Sequence, residues 1–173
     1  WFNALHYHLQ QPLASQILPA LSRRTSPIWM DCSSKTECEE ITKQVGAQRV
    51  LQITGSRAIE RFTGPQIRRF HKTEPIAYEN TARIHLVSSF MTSILSGADA
   101  GIDHGDGAGM NLLDLARGQW HQDLLDAVAP DLASKLPKVL PCDKVIGNIA
   151  PYFIEKYGFL PSTQINVFSG DNP

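Results

Sequence analysis

Three stretches of the 173-residue chain carry side chains able to do chemistry. The last runs from Thr163 to Pro173. Ile165-Asn166-Val167-Phe168 reads as a short buried strand, and Ser169-Gly170 break it. A strand ending in Gly170-Asp171-Asn172 would present a carboxylate and an amide on a fixed edge, suited to a base that must meet a hydroxyl. The same Gly-Asp-Asn-Pro is also ordinary turn chemistry, and Pro173 forbids a simple continuation of helix or strand. The second stretch is Gly55-Ser56-Arg57-Ala58-Ile59-Glu60-Arg61-Phe62-Thr63-Gly64. A guanidinium offers five donors in a fixed fork, so Arg57 and Arg61 suit sugar hydroxyls or a phosphate; solvated ion pairs with Glu60 are the plainer alternative. The third is Asp103-His104-Gly105-Asp106-Gly107-Ala108-Gly109. It lacks both Gly-Lys-Ser/Thr and the GxGxxG spacing, and is expected to be a flexible turn rather than a phosphate cradle or metal site. His6 and His8 fall on opposite faces of a helix and have no third ligand nearby, so no metal site is expected there either.

The elements that must position these residues alternate between helix and strand. Pro12 and Pro19 interrupt the apolar positions of residues 1–22. Ser26 to Asp31 is expected to be a strand whose end carries Trp29 and Asp31, at the edge where ligands bind in α/β folds. A helix follows, opened by a Ser34–Glu37 capping box, striped by Cys38, Ile41 and Val45, and stopped at Gly46. Gly55 reads as a helix C-terminus and Pro65 as the first turn of the next helix. Arg83 to Val87 is expected to be a strand, Phe90 to Leu95 a helix capped by Ser88-Ser89 and stopped by Gly97. Met110 to Leu115 is an apolar run. Trp120 to Val128 is expected to be an amphipathic helix with Trp120, Leu124, Leu125 and Val128 inward. A short helical piece over Asp131 to Leu136, a strand at Val145-Ile146-Gly147 and a helix from Tyr152 to Tyr157, ended by Gly158, complete the pattern. The class is α/β, with a mixed sheet expected.

Composition bounds the rest. Hydrophobic residues make up 42% and charged residues 19%, the balance of a globular domain. The net charge of −1 and the absence of any basic run longer than Arg68-Arg69 disfavour a nucleic-acid surface. No apolar stretch approaches the ~20 residues of a membrane span. Cys32, Cys38 and Cys142 are odd in number and have no CxxC spacing, which points to a reducing, cytoplasmic setting. An opening on Trp1-Phe2-Asn3 without a signal pattern predicts an internal piece of a longer protein.

Several longer motifs occur in order: Trp29-Met30-Asp31; Thr54 to Ala58 and Glu60 to Gly64, with Gln66-Ile67; Leu86 to Phe90; Asp106-Gly107; Gly109 to Leu113; Tyr157-Gly158-Phe159; and Gly170-Asp171-Asn172-Pro173. On these, over essentially its whole length, the chain resembles the FGGY carbohydrate kinases, and among them the eukaryotic-type xylulose kinases. The resemblance implies an incomplete ribonuclease-H-like, actin-type ATPase domain, with a mixed sheet flanked by helices. In such kinases two domains enclose a cleft; sugar sits on the first, and ATP with Mg2+ is held largely by the second. Residues 1–173 would be the later part of the first domain, with the ATP-binding domain absent. Asp171 falls on the family's catalytic base, and Arg61, Asp171 and Asn172 fall on its sugar ligands. Trp29 falls where glycerol kinases place a tryptophan against substrate. The implied reaction is ATP plus D-xylulose giving D-xylulose 5-phosphate plus ADP. The family's early Asp-x-Gly-Thr phosphate loop and its Gln-His-Gly segment are missing, so the chain alone is expected to be inactive. Another FGGY sugar kinase, such as a ribulose kinase, is one alternative. A non-catalytic sugar-binding homologue is the other; a retained base at Asp171 argues against it.

Overall fold

Prolines keep residues 7–30 from forming one long helix. In the computed structural model, which describes residues 7–170, Pro12 precedes a short helix α1 (Leu13–Ile17), and Pro19 sits within a single 3-10 turn (Leu18–Ala20). Helices α2 (Lys35–Val45) and α3 (Ala47–Thr54) follow, separated by Gly46 alone. Helix α4 (Thr63–Thr73) carries Pro65 in its first turn, and α5 (Pro75–Glu79) begins on a proline. Then come α6 (Val87–Ser96), β1 (Ile102–Asp103), α7 (His104–Gly109), β2 (Leu113–Asp114) and β3 (Gln119–Trp120). The chain continues through α8 (Gln122–Val128), α9 (Leu132–Lys135), β4 (Val139–Leu140), β5 (Val145–Asn148), α10 (Pro151–Tyr157) and β6 (Gln164–Asn166). Gly55, Gly97 and Gly158 end α3, α6 and α10 in the left-handed conformation, as the sequence predicts.

The molecule is mixed α/β and rich in helix. Among the described residues the strands pair as three two-stranded ladders: β1 with β4 parallel, β2 with β3 antiparallel, and β5 with β6 antiparallel. Two apolar clusters hold the elements together. The larger gathers Ile41, Val50, Ile67, Phe70, Ile102, Met110 and Leu124 from α2, α3, α4, β1 and α8. The smaller gathers Ile17, Ile94, Tyr152, Phe153 and Ile165 under α6, α10 and β6. Each fully buried aliphatic or aromatic side chain contributes about 1.5–3 kcal/mol relative to exposure.

Four local expectations are corrected. Ser26–Asp31 is not a strand: the Asp31 amide donates to the Ile28 carbonyl at 3.0 Å and closes a turn, which Pro27 and the short polar Asp31 favour. Arg83–Val87 is not a strand either; its backbone joins a neighbour through the Ile84 amide donating to the Lys135 carbonyl at 2.9 Å, and α6 already starts at Val87. Ser34 makes no capping box, because its hydroxyl is spent on the Glu60 carbonyl at 2.6 Å, while Glu37 is buried facing Lys72 at 3.4 Å. The amphipathic helix begins after Trp120, which lies in β3 opposite Leu113 and donates its indole N–H to the Pro137 carbonyl at 2.8 Å.

Candidate functional site

The turn Ile28–Asp31 and the loop preceding α4 come together on one face. Trp29 is 73% exposed, unusual for an indole, and the exposed Arg61 guanidinium lies 6.0 Å from its ring centroid. Among the described residues neither Arg57 nor Arg61 forms an ion pair, so the alternative of Glu60 ion pairs is not what is seen. An exposed guanidinium against an exposed indole offers donors beside an apolar face, the combination that a sugar's hydroxyls and C–H surface require. Arg57 instead lines an open groove with Lys35, Lys43 and Glu39.

Beneath this pair, Gln66 on the first turns of α4 ties the two loops. Its side-chain amide donates to the Glu60 carbonyl at 2.9 Å and to Asp31 Oδ1 at 3.1 Å. Asp31 Oδ1 also accepts from the Ser33 amide at 2.8 Å. Hydrogen bonds from Ser33 and from Gln66 hold the Asp31 carboxyl below the usual carboxylate range. In the sequence Ser34 stands out only as a helix cap and Gln66 only within a motif; their roles here depend on loops packed from elsewhere.

The glycine-rich stretch is a helix rather than a flexible turn. Asp103 caps α7 by accepting the Asp106 amide at 2.7 Å, and Asp106 in turn accepts from the Ser88 hydroxyl. Gly170 packs directly on this carboxylate: a Cβ there would lie 2.5 Å from Asp106 Oδ1. The strand leading to Gly170 is firmly seated. Beyond β6, the Val167 amide donates to the Lys144 carbonyl at 2.9 Å and the Phe168 amide to Thr92 Oγ1 at 3.0 Å.

One joint connects the two regions. The Gly64 amide, three residues after Arg61, donates to the Met110 carbonyl at 2.9 Å, one residue after α7 ends. The structure thus links the Arg61 loop to the surface on which Gly170 rests, although they are far apart in sequence. Asp171 and Asn172, the expected base and its neighbour, lie outside the described residues, as does His6. Among the described residues no group of three His, Cys, Asp or Glu side chains could hold a metal ion. No helix among them is long and apolar enough to cross a membrane.

A family model for the N-terminal domain of the FGGY carbohydrate kinases matches residues 24–173. The chain belongs to the FGGY family of carbohydrate kinases. It is 46% identical over 165 residues to xylulose kinase 2 of Arabidopsis thaliana and 44% identical over 163 residues to the xylulose kinase of Mus musculus. These alignments cover 95% and 94% of this chain but 30% of each relative, so the chain spans about 30% of the length of the curated relatives it matches. The fold agrees with solved FGGY structures. A gluconate kinase from Lactobacillus acidophilus superposes with a TM-score of 0.74 at 22% identity, covering 83% of this chain and 29% of that one. A glycerol kinase from Plasmodium falciparum with ADP gives 0.73 at 15% identity, with the same coverage. FGGY is a family of carbohydrate kinases, and these use ATP. The α7 stretch does not fit a phosphate cradle. Asp103 already accepts the Asp106 amide at the start of α7, and His104–Gly109 carries neither the lysine nor the hydroxyl that such a loop uses.

Proposed function

We propose that this chain is the sugar-side portion of an ATP-dependent D-xylulose kinase. On this reading residues 1–173 are the later part of the sugar-binding domain, built on the ribonuclease-H-like, actin-type ATPase fold, and a second domain outside them holds MgATP. The observation that carries the reading is the 44–46% identity to xylulose kinases of plant, mouse and Schizosaccharomyces pombe over nearly the whole chain. The exposed Arg61–Trp29 pair and the seated strand before Asp171 support it.

The chemistry follows from those parts. Phosphoryl transfer needs alignment and charge neutralisation more than covalent help from the protein. Arg61 and Asn172 fix the ketose, with Trp29 flanking it. Asp171 accepts the proton of the terminal hydroxyl as its oxygen bonds to the γ-phosphorus and ADP leaves. The chain supplies the sugar's hydrogen bonds and the proton acceptor; ATP supplies the phosphoryl group. The three unpaired thiols, Cys32, Cys38 and Cys142, suit a reducing compartment such as the cytoplasm.

The test is ADP production by the full-length kinase against a panel of ketoses and polyols. D-xylulose is expected to give the highest kcat/KM. A higher value for D-ribulose, or ADP release with no ketose, would overturn the assignment of substrate.

A further inference from the structure

We infer that Gln66 is the positioning residue of the sugar-facing edge, setting Trp29 and Arg61 as one unit. The inference rests on the proposed sugar role of Arg61. Three observations carry it. The Gln66 amide reaches both loops, meeting the Glu60 carbonyl at 2.9 Å and the Asp31 carboxylate at 3.1 Å. The Glu60 carbonyl, whose peptide leads directly into Arg61, is also held by Ser34 Oγ at 2.6 Å, and Ser34 is wholly buried. Asp31 closes the turn that carries Trp29, through its amide to the Ile28 carbonyl. With its two protons, the amide therefore fixes the peptide before the guanidinium and the turn beneath the indole at once, while Gln66 itself rides on α4 behind them. Loops left free to move would have to be ordered when sugar binds, and that ordering costs affinity. Fixing the loops in advance removes part of that cost.

Gln66→Glu keeps the shape but puts an acceptor against two acceptors; Gln66→Met keeps the volume and removes the polar ends. In the full-length kinase both are expected to weaken D-xylulose binding about tenfold and to leave nucleotide affinity unchanged. A double-mutant cycle decides whether Gln66 acts through Arg61. Gln66→Glu combined with Arg61→Ala is expected to lose less sugar affinity than the sum of the two single losses, the remaining loss acting through Trp29; fully additive losses, or equal losses for sugar and nucleotide, would overturn the inference. If Arg61→Ala leaves sugar affinity intact, the sugar role of Arg61 fails. The positioning claim is then read from Trp29 emission, taken as the difference from Trp29→Phe. The same spectral change in Gln66→Glu as in Arg61→Ala supports it, and an unchanged spectrum in Gln66→Glu contradicts it.

Discussion

At the scale of single residues, Arg61 and Trp29 carry the account within the described structure. Their exposure is costly in packing and has no structural return, whereas the groups around them, Gln66, Ser34 and Asp31, are satisfied by hydrogen bonds. Arg61→Ala is expected to weaken D-xylulose binding about ten- to a hundredfold, the worth of a charge-assisted hydrogen bond, with ATP binding unchanged. Separate calorimetric titrations of the two ligands check this; an equal loss for both would remove Arg61 from the sugar site. His85 makes a different residue-scale prediction. Burial lowers its pKa, with Arg83 acting in the same sense and Asp99 opposing; its ring meets Ser89 Oγ at 3.1 Å and Asp99 Oδ1 at 3.4 Å. In the unfolded chain a histidine titrates near about 6.5. Between the depressed folded value and that pH the unfolded state binds more protons, so stability falls as pH drops through this window. Asp31 and Glu40, whose carboxyls are lowered, lose their contribution as pH falls from the usual carboxylate range through their lowered values, at more acid pH than His85. Melting temperatures between pH 7.5 and 5.5 are expected to fall less steeply for His85→Gln than for the wild-type chain.

At the scale of elements, the joint between α4 and the end of α7 connects the two halves of the site. A Cβ at Gly64 would stand 2.9 Å from the Met110 carbonyl oxygen and 3.1 Å from Leu112 Cδ2, and the backbone oxygen cannot swing away. Gly64→Ala is expected to destabilise by about 1–3 kcal/mol, as overpacking does, and to weaken sugar binding as the Arg61 loop shifts. Denaturant unfolding and sugar titration of the same protein measure both; an unchanged midpoint and affinity would contradict the joint. At Gly170 the clash is with the Asp106 carboxylate, which Ser88 holds, so Gly170→Ala should act on kcat more than on sugar affinity. Helices and their glycine stops were legible in the sequence because 3.6-residue periodicity and left-handed caps are local signals. Two strands were legible too, Val145–Gly147 in β5 and Ile165–Phe168 overlapping β6; the two false strands, Ser26–Asp31 and Arg83–Val87, show why the others were not, since an extended run becomes a strand only if a partner arrives, and that is decided elsewhere in the chain. The α7 helix escaped notice because its glycines disfavour helix on propensity alone; the Asp103 cap and packing against Trp120 outweigh that. Arg61 and Trp29 stood out in the sequence as candidates, but the amide that ties their loops together did not, since its partners lie up to 35 residues away.

At the scale of the whole molecule, the proposed reading makes the chain one wall of a reaction that needs two. The 173-residue chain by itself is expected to release no ADP from MgATP and D-xylulose, because phosphoryl transfer requires the nucleotide to be held in line with the hydroxyl and its described residues offer no phosphate cradle. The exposed Ile28, Val87 and Leu160 side chains, at 63%, 80% and 70%, are apolar surface that a covering partner segment would bury. The central claim is that Asp171 is the base of a sugar kinase, and the most direct measurement compares turnover with sugar affinity in Asp171→Asn of the full-length enzyme. The account predicts that ADP release with D-xylulose falls about 10²- to 10⁴-fold, while calorimetric affinity for D-xylulose stays within a few-fold of wild type, since an amide still bonds the hydroxyl but cannot take its proton. Full turnover in the variant would contradict it.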